Sequence, residues 1–228
     1  MASLGEQADN RAILALDTAT SRAFVALASG GTIHEARSEG ENSHHEELGA
    51  LIRRIFNESG TSPRRLSRIV VGSGPGSFTG LRIGYSFASG LALAAGCPVA
   101  QIPTLTAMAW ELKGGGQPVL ALLDARREEL FAALLRTSDP LEVLGPAIVP
   151  RRELEGFVGM PFNKVSFIGD VDVPGSEIAR PAHLGRSLIE LAVITGIGGV
   201  SAGDRELQPL YLRAVAARTI AERIQKAH

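Results

Sequence analysis

One cysteine, Cys97, stands in a chain of 228 residues. An internal disulfide is excluded, and so is a cysteine-based zinc site. That usage fits a reducing compartment. Aromatic residues are also scarce, at 5%, which argues against a platform for stacking single-stranded bases. Neither sign of charge dominates. Lys+Arg 23 against Asp+Glu 24 leaves a formal charge of −1, so a strongly basic nucleic-acid surface is not expected. Long hydrophobic runs are missing too. The most apolar stretch, 86–102, is too short and too rich in glycine and alanine to span a bilayer. The polar opening, 1–11, carries Glu6 and Asp9 and does not read as a signal peptide. A soluble cytoplasmic protein with no membrane partner is expected. What is present is a globular composition, 45% hydrophobic and 21% charged, in a chain long enough to bury a core without staples.

Residues 12–16 (A-I-L-A-L) form an apolar run ending at Asp17. Apolar 23–28 follows, and Gly30-Gly31 turns the chain into 32–38. Three such runs joined by short turns predict an antiparallel meander. Ser43 and Glu46 fit a capping box. Leu48, Leu51, Ile52 and Ile55 then recur with helical spacing on one stripe, and Asn57, Ser59 and Gly60 end that helix. A buried-type strand, 68–72, runs into a glycine-rich segment and a second helix over 79–95. A strand over 97–102 and a helix over 104–113 complete this half. Gly114, Gly115 and Gly116 mark the expected boundary between subdomains 1–113 and 114–213.

Beyond it, 119–123 ends at Asp124, and 130–135 follows. The proline-bearing stretch 136–162 reads as mixed loop and short elements. A strand over 164–168, a helix over 184–194, an extended segment over 210–213 and a final amphipathic helix over 214–227 follow. The final helix is expected to pack back on the first subdomain. The second half repeats the first: Asp17 precedes Phe24, and Asp124 precedes Phe131, by seven residues each. Two α/β halves, each opened by a strand–Asp–turn–strand hairpin, argue for a duplicated fold.

The strongest chemical signal is the run from Gly74 to Gly84 (G-P-G-S-F-T-G-L-R-I-G). Its glycines let a partner approach bare backbone, and the following helix start favours an anion. A tight strand-to-helix turn with no ligand accounts for it equally well. It lacks the Gly-Lys-Ser/Thr of a P-loop and the spacing of a dinucleotide fingerprint. Asp17-Thr18-Ala19-Thr20 is similar to the first phosphate loop of actin-like folds, with Ala19 in place of glycine. An Asx-type turn is the competing and favoured explanation. Asp17, Thr18, Gly74, Gly76, Ser77 and Gly80 are therefore the candidate nucleotide or anion residues. Gly80, Gly84, Ala88 and Ala92 form a ridge of small residues that fits either the protein's own sheet or a helix of another chain.

His44-His45-Glu46-Glu47 fails H-E-x-x-H, because Gly49 stands where the second histidine belongs, so no metal site is expected. Ser77 lacks the second glycine of G-x-S-x-G and has no base placed by the sequence, so no catalytic residue is assigned. Arg126 and Arg127 fit either a solvated turn or a contact to phosphate or another chain.

The D-T-A-T turn, S-H-H-E-E-L, V-G-S-G-P-G-S-F-T-G-L-R-I-G, the L-D-A-R-R-E-E-L-F-A-A-L hairpin and P-L-Y-L-R occur in one order between Ala12 and Arg213. Together they resemble the bacterial TsaB (YeaZ) family. The resemblance implies a duplicated actin-like ATPase fold (ASKHA, RNase H-like) with two αβ subdomains. It implies a non-catalytic scaffold in making threonylcarbamoyladenosine at tRNA adenosine 37, paired with a TsaD-type transferase subunit and joined by a TsaE-type ATPase. It further implies a partner surface built from the first two helices, carried here by Leu48, Leu51, Ile52, Ile55, Gly80, Gly84 and Ala88, through which the chain also self-associates. tRNA is met only through the complex. No cofactor is required, with ATP or ADP expected at most at the subunit junction. The alternative is an autonomous actin-like ATPase or small-molecule kinase, with Asp17, the Gly74 to Gly80 loop and Asp124 converging on nucleotide.

Overall fold

The first hairpins form as the turns predict. β1 (Ala12–Asp17), β2 (Phe24–Ser29) and β3 (Thr32–Arg37) make an antiparallel meander. Gly30 and Gly31 both adopt positive φ, 56° and 80°, the left-handed pair that a two-residue hairpin turn requires. β1 is apolar on both faces because both are covered. Leu14 and Leu16 point to one core and Ala15 to another.

The computed structural model describes residues 11–39, 44–138, 141–202, 204 and 207–212. α1 (His44–Ser59) follows the meander. The expected capping box lies outside the described side chains. A parallel strand, β4 (Leu66–Gly72), leads to α2 (Phe78–Ala95), which Gly96 closes in the left-handed conformation. β5 (Val99–Ile102) starts two residues later than the sequence predicts, and α3 (Thr104–Glu111) ends two residues earlier.

The second half opens with the hairpin of β6 (Val119–Arg126) and β7 (Glu129–Ser138). β8 (Leu141–Pro150) follows, where mixed loop was expected. Its prolines misled the sequence reading. β8 is an edge strand whose pairing to β7 is broken by register shifts, and an edge tolerates proline. Pro140 lies outside the described residues. α4 (Leu154–Val158), β9 (Ser166–Gly169), the short β10 (Ile178–Ala179) and α5 (Leu184–Ile194) complete the described elements. Residues 210–212 are not a strand, and the helix expected over 214–227 lies outside the described residues.

The strand orders are β3-β2-β1-β4-β5 and β8-β7-β6-β9-β10. They are the same order with the same mixture of antiparallel and parallel pairing, so the duplication is real. The hairpins differ by one residue. Asp17 pairs with Phe24, whereas Asp124 pairs with Leu130. The halves also trade helices. α5 packs on β1 and β2 of the first sheet, while α3 packs on β6 and β7 of the second. One core therefore runs from Phe24 and Ala26 through Leu105, Met108 and Leu188 to Ala121 and Leu135. A second core joins the first sheet to α1 and α2, and a third lies between the second sheet and α4. The turn at Gly114 to Gly116 separates the strands of the two sheets but not the helices.

Candidate functional site

Asp17 ends β1 at the C-terminal edge of the first sheet, and no part of it is exposed. Its Oδ1 accepts the Ala19 N–H (2.8 Å), which is the Asx turn. Its Oδ2 accepts the Thr104 hydroxyl (2.6 Å), and Thr104 Oγ1 in turn accepts the Gly74 N–H (3.1 Å). Burial pushes the carboxyl up to about 6, against the lowering effect of those two hydrogen bonds. Gly72 is obligatory beside it. A Cβ there would lie 1.6 Å from Asp17 Oδ2.

The glycine-rich loop closes over the same turn. Ser77 N–H donates to Ala19 O (2.8 Å), and the Ser77 hydroxyl caps α2 by accepting the Gly80 N–H (3.1 Å). Thr18 Oγ1 donates to Gly80 O (2.7 Å). A Cβ on Gly76 would meet Ala19 O at 2.3 Å, one on Gly80 would meet Thr18 O at 2.0 Å, and one on Gly84 would meet Thr18 Oγ1 at 2.4 Å. The structure thus brings Asp17, Thr18, Gly74, Gly76, Ser77 and Gly80 together, but turns them toward one another. The bare backbone of the loop is approached by the protein's own hairpin. In this conformation the Ala19, Gly74, Ser77 and Gly80 N–H groups are all engaged within the protein.

Three contributors escaped the sequence reading. Gly72 is the last residue of a strand, and Thr104 follows Pro103 at a helix start. Both positions were visible, but nothing in the sequence linked them to Asp17. The third is the segment 207–212. Leu210 N–H donates to Ser73 O (2.7 Å), and the Tyr85 hydroxyl is shared between Gln101 Oε1 (2.6 Å) and Gln208 O (3.1 Å). Burial, with the charges of Asp17 and Tyr211, pushes the Tyr85 phenol up.

The second half offers no matching closure. Asp124 Oδ1 accepts the Arg126 N–H (2.9 Å), and its Oδ2 pairs with the Arg126 guanidinium. Arg126, Arg127 and Glu128 all have positive φ, which gives a tight left-handed hairpin tip. Burial raises Asp170, whose carboxyl also receives the Asp124 backbone N–H. Among the described residues, no group of three or more His, Cys, Asp or Glu is placed to hold a metal ion. The side chains of His44 and His45 lie outside the described residues.

The residues expected at a partner surface face inward. Leu48, Leu51, Ile52, Ile55, Gly80, Gly84 and Ala88 are buried inside this chain. The apolar stripe of α1 faces β2 and β3, and the small residues of α2 let that helix settle onto Thr18 and Leu16. Of the two explanations for the ridge, packing on the protein's own sheet is the one the structure adopts. The outward side of the helix pair carries other residues. Phe78, Thr79, Arg82, Ile83, Ser86 and Phe87 line a groove of about 380 Å³ along α2. The Phe87 ring sits against Gly49 of α1, with the Arg53 guanidinium beside it.

Fold and site together define a duplicated protein of two mixed α/β sheets in the same strand order, with the turn at Asp17 closed by its own glycine-rich loop. The model of the TsaD family, described as tRNA N6-adenosine threonylcarbamoyltransferase, matches residues 20–166. The chain is 32% identical over 225 residues to the tRNA threonylcarbamoyladenosine biosynthesis protein TsaB of Haemophilus influenzae, a match covering 90% of this chain and 94% of that one. It is 41% identical over 124 residues to the Escherichia coli protein of the same name, covering 53% of each. YeaZ from Pseudomonas aeruginosa aligns with a TM-score of 0.71 at 26% identity, over 89% of this chain and 100% of that one. The chain belongs to the TsaB (YeaZ) family.

Proposed function

We propose that this chain is a non-catalytic accessory subunit in the biosynthesis of threonylcarbamoyladenosine on tRNA. It pairs with a TsaD-type transferase subunit, is joined by a TsaE-type ATPase, and meets tRNA only within that assembly. The observation that carries the non-catalytic reading is the inward closure of the loop on Asp17. A carboxyl with no exposed surface, enclosed by Gly72 and the Thr104 hydroxyl, cannot reach a hydrated metal unless the loop opens. The chain would need no cofactor of its own, and ATP or ADP in the assembly would lie at the junction with the partner. The names of the relatives support the process, and the match to the TsaD family model supports a partner of related fold.

Pairing would use the outward side of α1 and α2. Groove residues Phe78, Ile83 and Phe87 supply apolar area there. Arg53 and Arg82 are exposed and form no ion pair among the described residues. The same face would serve self-association in the absence of the partner. The effect on the partner's rate would be a shift in its populations toward the competent state. Light scattering after size exclusion, with the cognate transferase subunit added, should show a one-to-one heterodimer. Calorimetric titration of the isolated chain with Mg-ATP should show no binding at micromolar protein. Tight ATP binding that disappears in Asp17→Ala would overturn this in favour of an autonomous actin-like enzyme.

A further inference from the structure

We propose that the strap formed by residues 208–211 belongs to the partner surface, with Tyr211, Phe78 and Arg82 as its anchoring cluster. This rests on the pairing through α1 and α2 proposed above and extends it beyond the helices. The Tyr211 ring lies 5.4 Å from the Phe78 ring, tilted by 41°. The Arg82 guanidinium sits 4.6 Å from the Phe78 centroid. Phe78 is 40% exposed and Tyr211 39%, and Arg82 is exposed as well. A chain with so few aromatics thus keeps two of them adjacent on its surface with an arginine, the residue types that dominate binding energy at protein interfaces.

The strap is also fixed in advance. Its backbone is tied to the glycine-rich loop through Leu210 N–H on Ser73 O, and to α2 through the Tyr85 hydroxyl at Gln208 O. Little ordering entropy remains to be lost when a partner arrives. The cluster is continuous with the groove, because Phe78 and Arg82 line it. Charge sets the partner's chemistry. Arg82 and Arg53 form no ion pair with any described carboxylate, so the matching surface is a protein face with apolar side chains along the groove and carboxylates opposite the two arginines.

The test titrates the full-length chain and its variants against the transferase subunit. Tyr211→Ala should weaken Kd by roughly tenfold or more, as removing an anchoring aromatic does. Tyr211→Phe keeps the ring and should stay within about twofold of the parent, which is small on the 1.4 kcal/mol-per-tenfold scale. Phe87→Glu is the control on the helix face. If Tyr211→Ala binds like the parent while Phe87→Glu does not, the strap is outside the interface and the inference fails, with the helix pairing intact. If both bind like the parent, the pairing itself is wrong. Should Tyr211→Ala fail to fold, Tyr211→Gln is read by the same criteria, since it removes the ring but keeps a polar side chain at that position of the strap.

Discussion

Asp17 shows how one residue can be legible in identity and illegible in role. Its place at the end of a strand, before Thr18 and Ala19, was readable as either a phosphate-loop acid or an Asx turn. What decides is burial, and burial depends on Gly72 and Thr104, far away along the chain. The enclosed carboxyl has a measurable consequence. Its folded pKa is raised from 3.8 to about 6, so the folded state holds the proton more tightly than the unfolded state. Stability from this group is therefore complete below about pH 4 and declines as pH rises through 6, by something on the order of 3 kcal/mol. Glu111 and Asp170 are raised in the same direction by burial, so the whole-protein profile mixes several groups. The difference between parent and Asp17→Asn isolates one. Urea midpoints taken from pH 4.5 to 7.5 should fall with pH in the parent and change less in the variant. Parallel profiles would mean that Asp17 titrates at its ordinary pKa.

At the scale of elements, periodicity located the helices well but does not say what their apolar faces meet. The stripe of Leu48, Leu51, Ile52 and Ile55 was visible because it is amphipathic, yet an amphipathic stripe reads the same whether it meets its own sheet or another chain. The sheet supplies the answer, through Leu14, Leu16, Val25 and Leu27. The small-residue ridge of α2 was ambiguous for the same reason. β8 was lost because proline marks loops in a sequence but is tolerated on an edge strand. The two faces of α1 and α2 make opposite predictions. Leu51→Glu puts a charge into a closed core and should cost several kcal/mol of stability, visible as a large drop in melting temperature. Arg82→Glu alters the exposed side of α2 and should leave melting within a few degrees while abolishing the heterodimer in sedimentation velocity. A Leu51→Glu protein that melts like the parent would contradict the assignment of that face to the core.

For the whole molecule, the duplication was readable from two hairpins, each with an aspartate at the same distance from a phenylalanine. The exchange of helices was not, because nothing local in a helix says which sheet it will cover. Its consequence is mechanical. α3, from the first half, and α5, from the second, are clamped to each other. The Trp110 indole N–H donates to Glu190 (2.9 Å), Lys113 pairs with the same carboxylate (2.6 Å) and lies over the Trp110 ring. Glu111 receives the Ala182 and His183 N–H groups at the start of α5, and Arg186 pairs with Glu35 on β3. Neither sheet can shed its covering helix without disturbing the other. The two halves should consequently unfold together, although their strands are separated cleanly at Gly114 to Gly116. Trp110 is the one tryptophan in the chain, and it sits in the core that spans both sheets. Its fluorescence reports the junction, while far-ultraviolet circular dichroism reports all the helices and strands. In urea the two signals should trace a single coincident transition. If the fluorescence midpoint fell clearly below the circular dichroism midpoint, the junction would be opening while the sheets stayed folded. The chain would then be two loosely joined subdomains, able to hinge as a nucleotide-gated enzyme does, and the rigid accessory role would lose its structural basis.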